Sequence, residues 1–83
     1  MTDPFPLHQL KAGQQAIITR VGGVLALRRR FIEMGVVKGE SILLERKAPL
    51  GDPIEYFIKG YHLALRKEEA ALIEVALPGG NHG

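Results

Sequence analysis

Histidine is the side chain most able to do chemistry in this sequence of 83 residues, and it occurs at His8, His62 and His82. None of the three has a partner at the i,i+4 spacing of a helical metal site, and a dedicated zinc or iron site normally needs about three or four converging ligands. We therefore expect no dedicated cofactor. His62, with Glu55 on the same predicted strand face, is at most a weak metal candidate that could hold an adventitious divalent ion such as zinc or iron.

Nucleophiles are almost absent. Ser41 is the one serine, and there is no cysteine. The sequence places no histidine around Ser41 that could activate it, and the lack of thiols excludes disulfides, thiolate zinc sites and iron–sulfur clusters. The pattern predicts a protein without catalytic activity, and the absence of cysteine fits a reducing compartment.

Arg28, Arg29 and Arg30 could contact phosphates, and the net charge is +2. Three consecutive residues of a helix point to different sides, so they do not form one basic stripe. The predicted strands offer few outward aromatic side chains for base stacking. Gly22-Gly23 lacks the Lys-Ser/Thr ending of a phosphate-binding loop and indicates a tight turn. Nucleic-acid binding is thus an alternative function, and no nucleic-acid partner is expected.

Alternating apolar and polar residues lie on both sides of the Pro/Gly-rich turn at 48–53, which is typical of consecutive antiparallel strands. The period changes to that of a helix at 24–34, where Leu27, Phe31 and Met34 recur on one side. Gly35 is a plausible helix stop. The strands are predicted at 15–21, 41–46, 54–59, 61–66 and 72–75, with single helical turns at 7–10 and 67–70.

The alternation also assigns side chains to two faces of the sheet. If Lys59-Gly60 forms a two-residue turn, Phe57 lies opposite His62. The inward set is then Ile54, Tyr56, Ile58, Tyr61, Leu63 and Leu65.

Phe57 is large and apolar at an outward position. Leu43 is expected beside it, and Ala64 and His62 across the hairpin. Contiguous exposed apolar groups often mark contact surfaces, so we predict a partner-binding surface at Leu43, Phe57, His62 and Ala64. The alternative is that the helix or the N-terminal segment covers this patch within the monomer.

These elements predict a mainly β fold: a small SH3-like barrel of about five antiparallel strands with one inserted α-helix. We expect a single domain over residues 1–76 and a flexible C-terminal tail over residues 77–83. The longest apolar run is far below the ~20 residues of a membrane span. The first six residues do not have the pattern of a secretory signal. A cytoplasmic location is expected.

The chain resembles FeoA-type ferrous iron transport proteins from Leu7 to Val75. The resemblance rests on the ordered spacing of several short motifs rather than on any one of them. They are Leu10 with Gly13, Arg30-Phe31-Ile32-Glu33-Met34-Gly35-Val36 followed by Gly39, Ala48-Pro49-Leu50-Gly51-Asp52-Pro53-Ile54, Leu63-Ala64-Leu65-Arg66, Glu69-Ala70 and Ile73-Glu74-Val75.

The resemblance implies an SH3-like barrel that acts in the cytoplasm as an accessory to FeoB, a membrane permease with its own GTP-binding domain. Such a protein would support ferrous iron uptake by contact with the FeoB-type permease. The family supplies no agreed catalytic or metal-binding residues to transfer. A similar domain also forms part of metal-dependent transcription regulators, so a regulator-associated module is a further alternative.

A homodimer, either hydrophobic or bridged by metal at His62, is compatible with the permease role.

Overall fold

The computed structural model describes residues 1–79, which form a single antiparallel sheet with a helix inserted after its second strand. The spatial order of the strands is β1-β6-β2-β3-β4-β5. In chain order the elements are β1 (Phe5–Pro6), a 3-10 turn (Leu7–Gln9), β2 (Gln15–Val21), α1 (Leu25–Glu33), β3 (Ser41–Lys47), β4 (Ile54–Ile58), β5 (Tyr61–Leu65), α2 (Lys67–Ala70) and β6 (Ile73–Ala76). The mainly β architecture with one inserted helix is confirmed.

Strand β1 was not predicted from the sequence. It is two residues long and pairs with β6, placing Phe5 opposite Val75 and Pro6 opposite Glu74. Because β1 lies at the edge of the sheet, it tolerates a proline, which has no N–H to donate. Thr2 and Leu77 continue this pairing through Thr2 N–H to Leu77 O at 3.2 Å and Leu77 N–H to Thr2 Oγ1 at 2.8 Å. Leu77 is the first residue of the predicted tail. Residues 80–83 of that tail lie outside the described residues.

The predicted inward face of β4 is confirmed, since Ile54, Tyr56 and Ile58 are each no more than 1% exposed. On β5 the prediction holds fully only for Leu65. Leu63 is half-buried and Tyr61 is 40% exposed, because β5 is an edge strand and Tyr61 directly follows the hairpin turn. The other large core side chains are Leu7, Leu10, Ile18, Phe31, Val36, Ile42, Leu44 and Ile73.

The hairpin between β4 and β5 has the predicted two-residue turn. Both Lys59 (φ 53°) and Gly60 (φ 84°) adopt positive φ, as a type I′ turn requires. The turn fixes the register, so that Phe57 lies opposite His62 as predicted.

The register shifts between Leu44 and Arg46 where β3 pairs with β4. Strict alternation after Leu44 would turn Arg46 towards the core. The shift adds Glu45 to the strand, so Arg46 pairs with outward-facing Glu55 and remains exposed. This bulge avoids the burial of a guanidinium group, which would be very costly without a partner.

Helix α1 ends in a Schellman motif. Val36 N–H donates to Phe31 O at 2.8 Å and Gly35 N–H donates to Ile32 O at 2.9 Å, with Gly35 at φ 85°. The predicted glycine stop is confirmed. Phe31 is fully buried, and Leu27 and Met34 pack against the core, so one side of α1 contributes to the hydrophobic core.

Candidate docking surface

Three of the predicted surface residues form one row across the outer face of the sheet. Leu43 on β3 lies opposite Phe57 on β4, and Phe57 lies opposite His62 on β5. Ala64 is two residues further along β5, opposite Glu55. We call Leu43, Phe57, His62 and Ala64 the outer-face patch. Its apolar centre, Leu43 and Phe57, is half-buried, whereas His62 and Ala64 are exposed.

The rings of Phe57 and His62 are in contact. Their centroids are 5.1 Å apart with an interplanar angle of 64°, an edge-to-face arrangement. Such aromatic contacts contribute about 0.5–1.5 kcal/mol beyond the area they bury. The contact holds the imidazole beside the apolar centre of the patch.

Charged side chains are paired along one side of the outer-face patch. His62 Nδ1 lies 2.7 Å from Glu45 Oε1. Arg46 binds Glu55 through two contacts, Nε to Oε1 at 3.0 Å and Nη2 to Oε2 at 3.4 Å. The hydrogen bond to Glu55 raises the pKa of Arg46 above its usual value. Arg46 and Glu55 thus neutralise each other, and Glu45 has a polar partner in His62, next to Leu43 and Phe57.

The predicted metal candidates His62 and Glu55 therefore have different partners. The carboxylate at His62 belongs to Glu45, whereas Glu55 is bound to Arg46. Sequence reasoning did not select Glu45, although its position two residues after Leu43 indicates the same outward face. Across residues 1–79, no group of three or more His, Asp or Glu side chains could hold a metal ion. Glu45 and His62 offer two ligands, so a complete site would need further ligands from outside residues 1–79.

A groove lies between α1 and β2, and nothing in the sequence pattern indicated it. Its volume is about 460 Å³, and it is lined by Thr19, Arg20, Val21, Ile32, Val37 and Lys38. The lining is mostly apolar with two basic side chains.

Residues 5–77 match the family model described as the FeoA domain. The chain belongs to the FeoA family. A curated relative of this FeoA-family chain is the Fe(2+) transport protein A/Fe(2+) transporter FeoB fusion protein of Porphyromonas gingivalis. It is 47% identical over 75 residues, which is 90% of this chain but 9% of the fusion protein. The chain thus spans only a small part of that relative.

Two solved FeoA structures share the fold. The solution structure of FeoA from Chlorobium tepidum has a TM-score of 0.87 and 42% identity, over 95% of this chain and 75% of that one. The crystal structure of Stenotrophomonas maltophilia FeoA complexed with zinc, described as an SH3 domain protein, has a TM-score of 0.77 and 30% identity, over 87% of this chain and 89% of that one. These likenesses confirm the predicted SH3-like class and the predicted family.

In the described part of the chain, no helix is both long and apolar enough to cross a membrane.

Proposed function

We propose that this chain is an accessory protein of ferrous iron uptake that acts by contact with a FeoB-type permease at its cytoplasmic side. The observation that carries the proposal is the fusion relative. Its FeoA part, 47% identical to this chain, shares one polypeptide with FeoB. Fusion holds two domains at a high effective concentration, which favours pairs that act together. The role requires docking and no catalytic step by this chain.

The outer-face patch is the surface that we assign to this contact. Leu43 and Phe57 supply adjacent apolar side chains that remain partly exposed, and paired charges border them at Glu45, Arg46 and Glu55. An apolar centre bordered by polar groups is the usual arrangement of a docking site, and a central aromatic side chain often dominates the binding energy. Phe57 is the expected anchor.

Titration against the cytoplasmic domain of the cognate permease tests the proposal directly. Phe57→Asp and Leu43→Asp should each weaken binding by about tenfold or more. Leu43 and Phe57 are half-buried, so an aspartate at either position could also disturb folding. Ala64→Arg is therefore a third variant. Ala64 is exposed, and a larger side chain there should block the patch without disturbing the core.

Leu50→Asp is the matched control, since Leu50 is 97% exposed in the turn between β3 and β4. It should bind like the unmodified chain. A lack of any interaction with the permease domain would refute the proposed function. Full-strength binding by folded Phe57→Asp and Ala64→Arg variants would refute the assigned surface.

A further inference from the structure

The solvent-facing side of α1 carries apolar side chains alongside arginines. Leu25 is 55% exposed and Ile32 is 57% exposed. They are two helical turns apart, so they lie on the same side of the helix, separated by about 10 Å along its axis. Arg28 and Arg29, both exposed, are three and four positions after Leu25 and flank the line between the two apolar residues. We call Leu25, Arg28, Arg29 and Ile32 the α1 stripe.

The arginines of the α1 stripe are free of the ion pairs that neutralise their neighbours. Arg20 lies 3.6 Å from Glu74, and Arg30 lies 3.5 Å from Glu69. Within residues 1–79, Arg28 and Arg29 take part in none of the ion pairs. Their positive charge is therefore available to an anionic partner.

Further side chains of the same character border the stripe. Val24, directly before the helix, is 73% exposed. The groove beside Ile32 adds Val21 and Val37, with Lys38 exposed among them. The result is a surface of exposed and half-buried aliphatic side chains among basic ones, which is the composition expected of an element that lies on an anionic membrane.

We propose that the α1 stripe binds the surface of an anionic lipid bilayer. Leu25 and Ile32 would enter the interface between headgroups and acyl chains, and Arg28, Arg29 and Lys38 would meet lipid phosphates. This site is separate from the outer-face patch, and it does not require the proposed function to be correct.

A peptide from a partner protein is the competing occupant, and the geometry favours it less. A peptide seated in the groove would cover Ile32, but Val24 and Leu25 do not line the groove and would stay in water. A broad bilayer surface would cover all three. It would also present phosphates to both arginines at once.

The expected affinity is low, which suits a reversible contact. Each basic side chain near an anionic membrane strengthens binding about fivefold, and two or three exposed aliphatic residues add a modest amount. A single weak anchor gives only marginal binding. If the chain also contacts a membrane permease as proposed above, the two weak contacts would reinforce each other.

A fluorescence experiment can locate the contact, because the sequence contains no tryptophan. Leu25→Trp introduces one reporter in the α1 stripe, and Leu50→Trp introduces one at the fully exposed turn as the control. With phosphatidylglycerol vesicles at low salt, the emission of Leu25→Trp should shift to shorter wavelength as the ring leaves water, and that of Leu50→Trp should not. Neither should shift with phosphatidylcholine vesicles.

Sedimentation with the same vesicles tests the charges. The double variant Arg28→Glu/Arg29→Glu should lose about twentyfold or more of its binding to phosphatidylglycerol vesicles. The control variant Lys11→Glu/Lys47→Glu makes the same change in net charge at exposed positions outside the α1 stripe. It should retain most of the binding to phosphatidylglycerol vesicles. High salt should release the unmodified chain, because the screening length shortens from about 10 Å at 0.1 M to about 3 Å at 1 M.

Three results would overturn the proposal. The first is no binding to anionic vesicles at low salt. The second is equal loss of binding in the two double variants, which would mean non-specific attraction. The third is that the unmodified chain does not bind vesicles, while Arg28→Glu/Arg29→Glu loses binding to a soluble protein partner. This result would assign the α1 stripe to a protein contact instead.

Discussion

Glu45 and His62 meet at 2.7 Å although their strands are not neighbours. Strand β4 separates β3 from β5 in the sheet, so the two side chains reach towards each other over the outer face. Glu45 faces outward by the alternation that starts at Leu43, and the register shift beside it makes Arg46 face outward as well. The pair brings an acid and an imidazole to the border of the outer-face patch.

Zinc is expected to join two copies of the chain through this pair. Two copies would together supply four ligands, which is enough to complete a tetrahedral site. Light scattering should show the mass rise from 9.1 kDa towards twice that value when zinc is added, and fall again with a chelator. His62→Ala should remain monomeric with zinc, whereas His82→Ala, which keeps the pair, should behave like the unmodified chain. A constant monomer mass at all zinc concentrations would contradict this expectation.

Replacing Tyr56 by phenylalanine should stabilise the protein. The Tyr56 side chain is fully buried, and its hydroxyl has no hydrogen-bond partner within residues 1–79. Burying an unpaired hydroxyl costs about 1–3 kcal/mol, so Tyr56→Phe should raise the free energy of unfolding by about 1 kcal/mol. Denaturant unfolding measures the change. Tyr61→Phe, at a partly exposed position, is the control and should leave stability within about 0.5 kcal/mol. A clear loss of stability in Tyr56→Phe would show that the hydroxyl is satisfied.

Alkaline pH should destabilise the protein through the same side chain. Burial raises the pKa of Tyr56 above the usual value of 10.0. Above about pH 10 the unfolded chain releases this proton while the folded chain keeps it, so the folded state binds more protons and stability falls as pH rises. The slope is about 1.4 kcal/mol per pH unit for one such group. Unfolding curves between pH 9 and 11 should therefore fall less steeply for Tyr56→Phe. If stability fell equally with pH in the unmodified chain and in Tyr56→Phe, ionisation of Tyr56 would not be the cause of the fall.

Gly35→Ala should destabilise the protein more than Gly39→Ala. Both glycines have positive φ, 85° and 92°, so each substitution carries the left-handed penalty of about 1–2 kcal/mol. A Cβ at Gly35 would also lie 3.0 Å from Lys59 Cδ and 3.1 Å from Tyr61 Oη, whereas a Cβ at Gly39 meets nothing within 4 Å. Thermal unfolding of the two variants isolates the steric contribution. Equal losses of stability would mean that the Lys59 and Tyr61 side chains move away from the new methyl group without a measurable energetic cost.

The period-two pattern predicted most of the sheet correctly because strands β3 to β5 are consecutive in the chain and joined by strong turn signals. Pro49, Gly51 and Gly60 mark the turns, and one correct register at Phe57 and His62 fixes the faces of three strands. The outer-face patch could be predicted on this basis alone.

The features that the sequence did not indicate depend on contacts between distant segments. Strand β1 is too short to show a period and contains a proline, and only its pairing with β6 makes it a strand. The partner of Glu55 is Arg46, which faces outward only because of a bulge that no glycine marks in the sequence. The α1 stripe could not be predicted from Arg28-Arg29-Arg30, because helical spacing points the three side chains to different sides and does not show which of them is ion-paired. The fold separates Arg30, which binds Glu69, from the other two.

The pairing of Thr2 with Leu77 at the edge of the sheet has a topological consequence. Because the chain enters and leaves the domain at one place, a host protein could accept it as an insert in a surface loop with little distortion. The same closeness should permit circular permutation: a short linker that joins Thr2 to Leu77, with new ends opened at the exposed Leu50 turn, would leave every strand pairing intact.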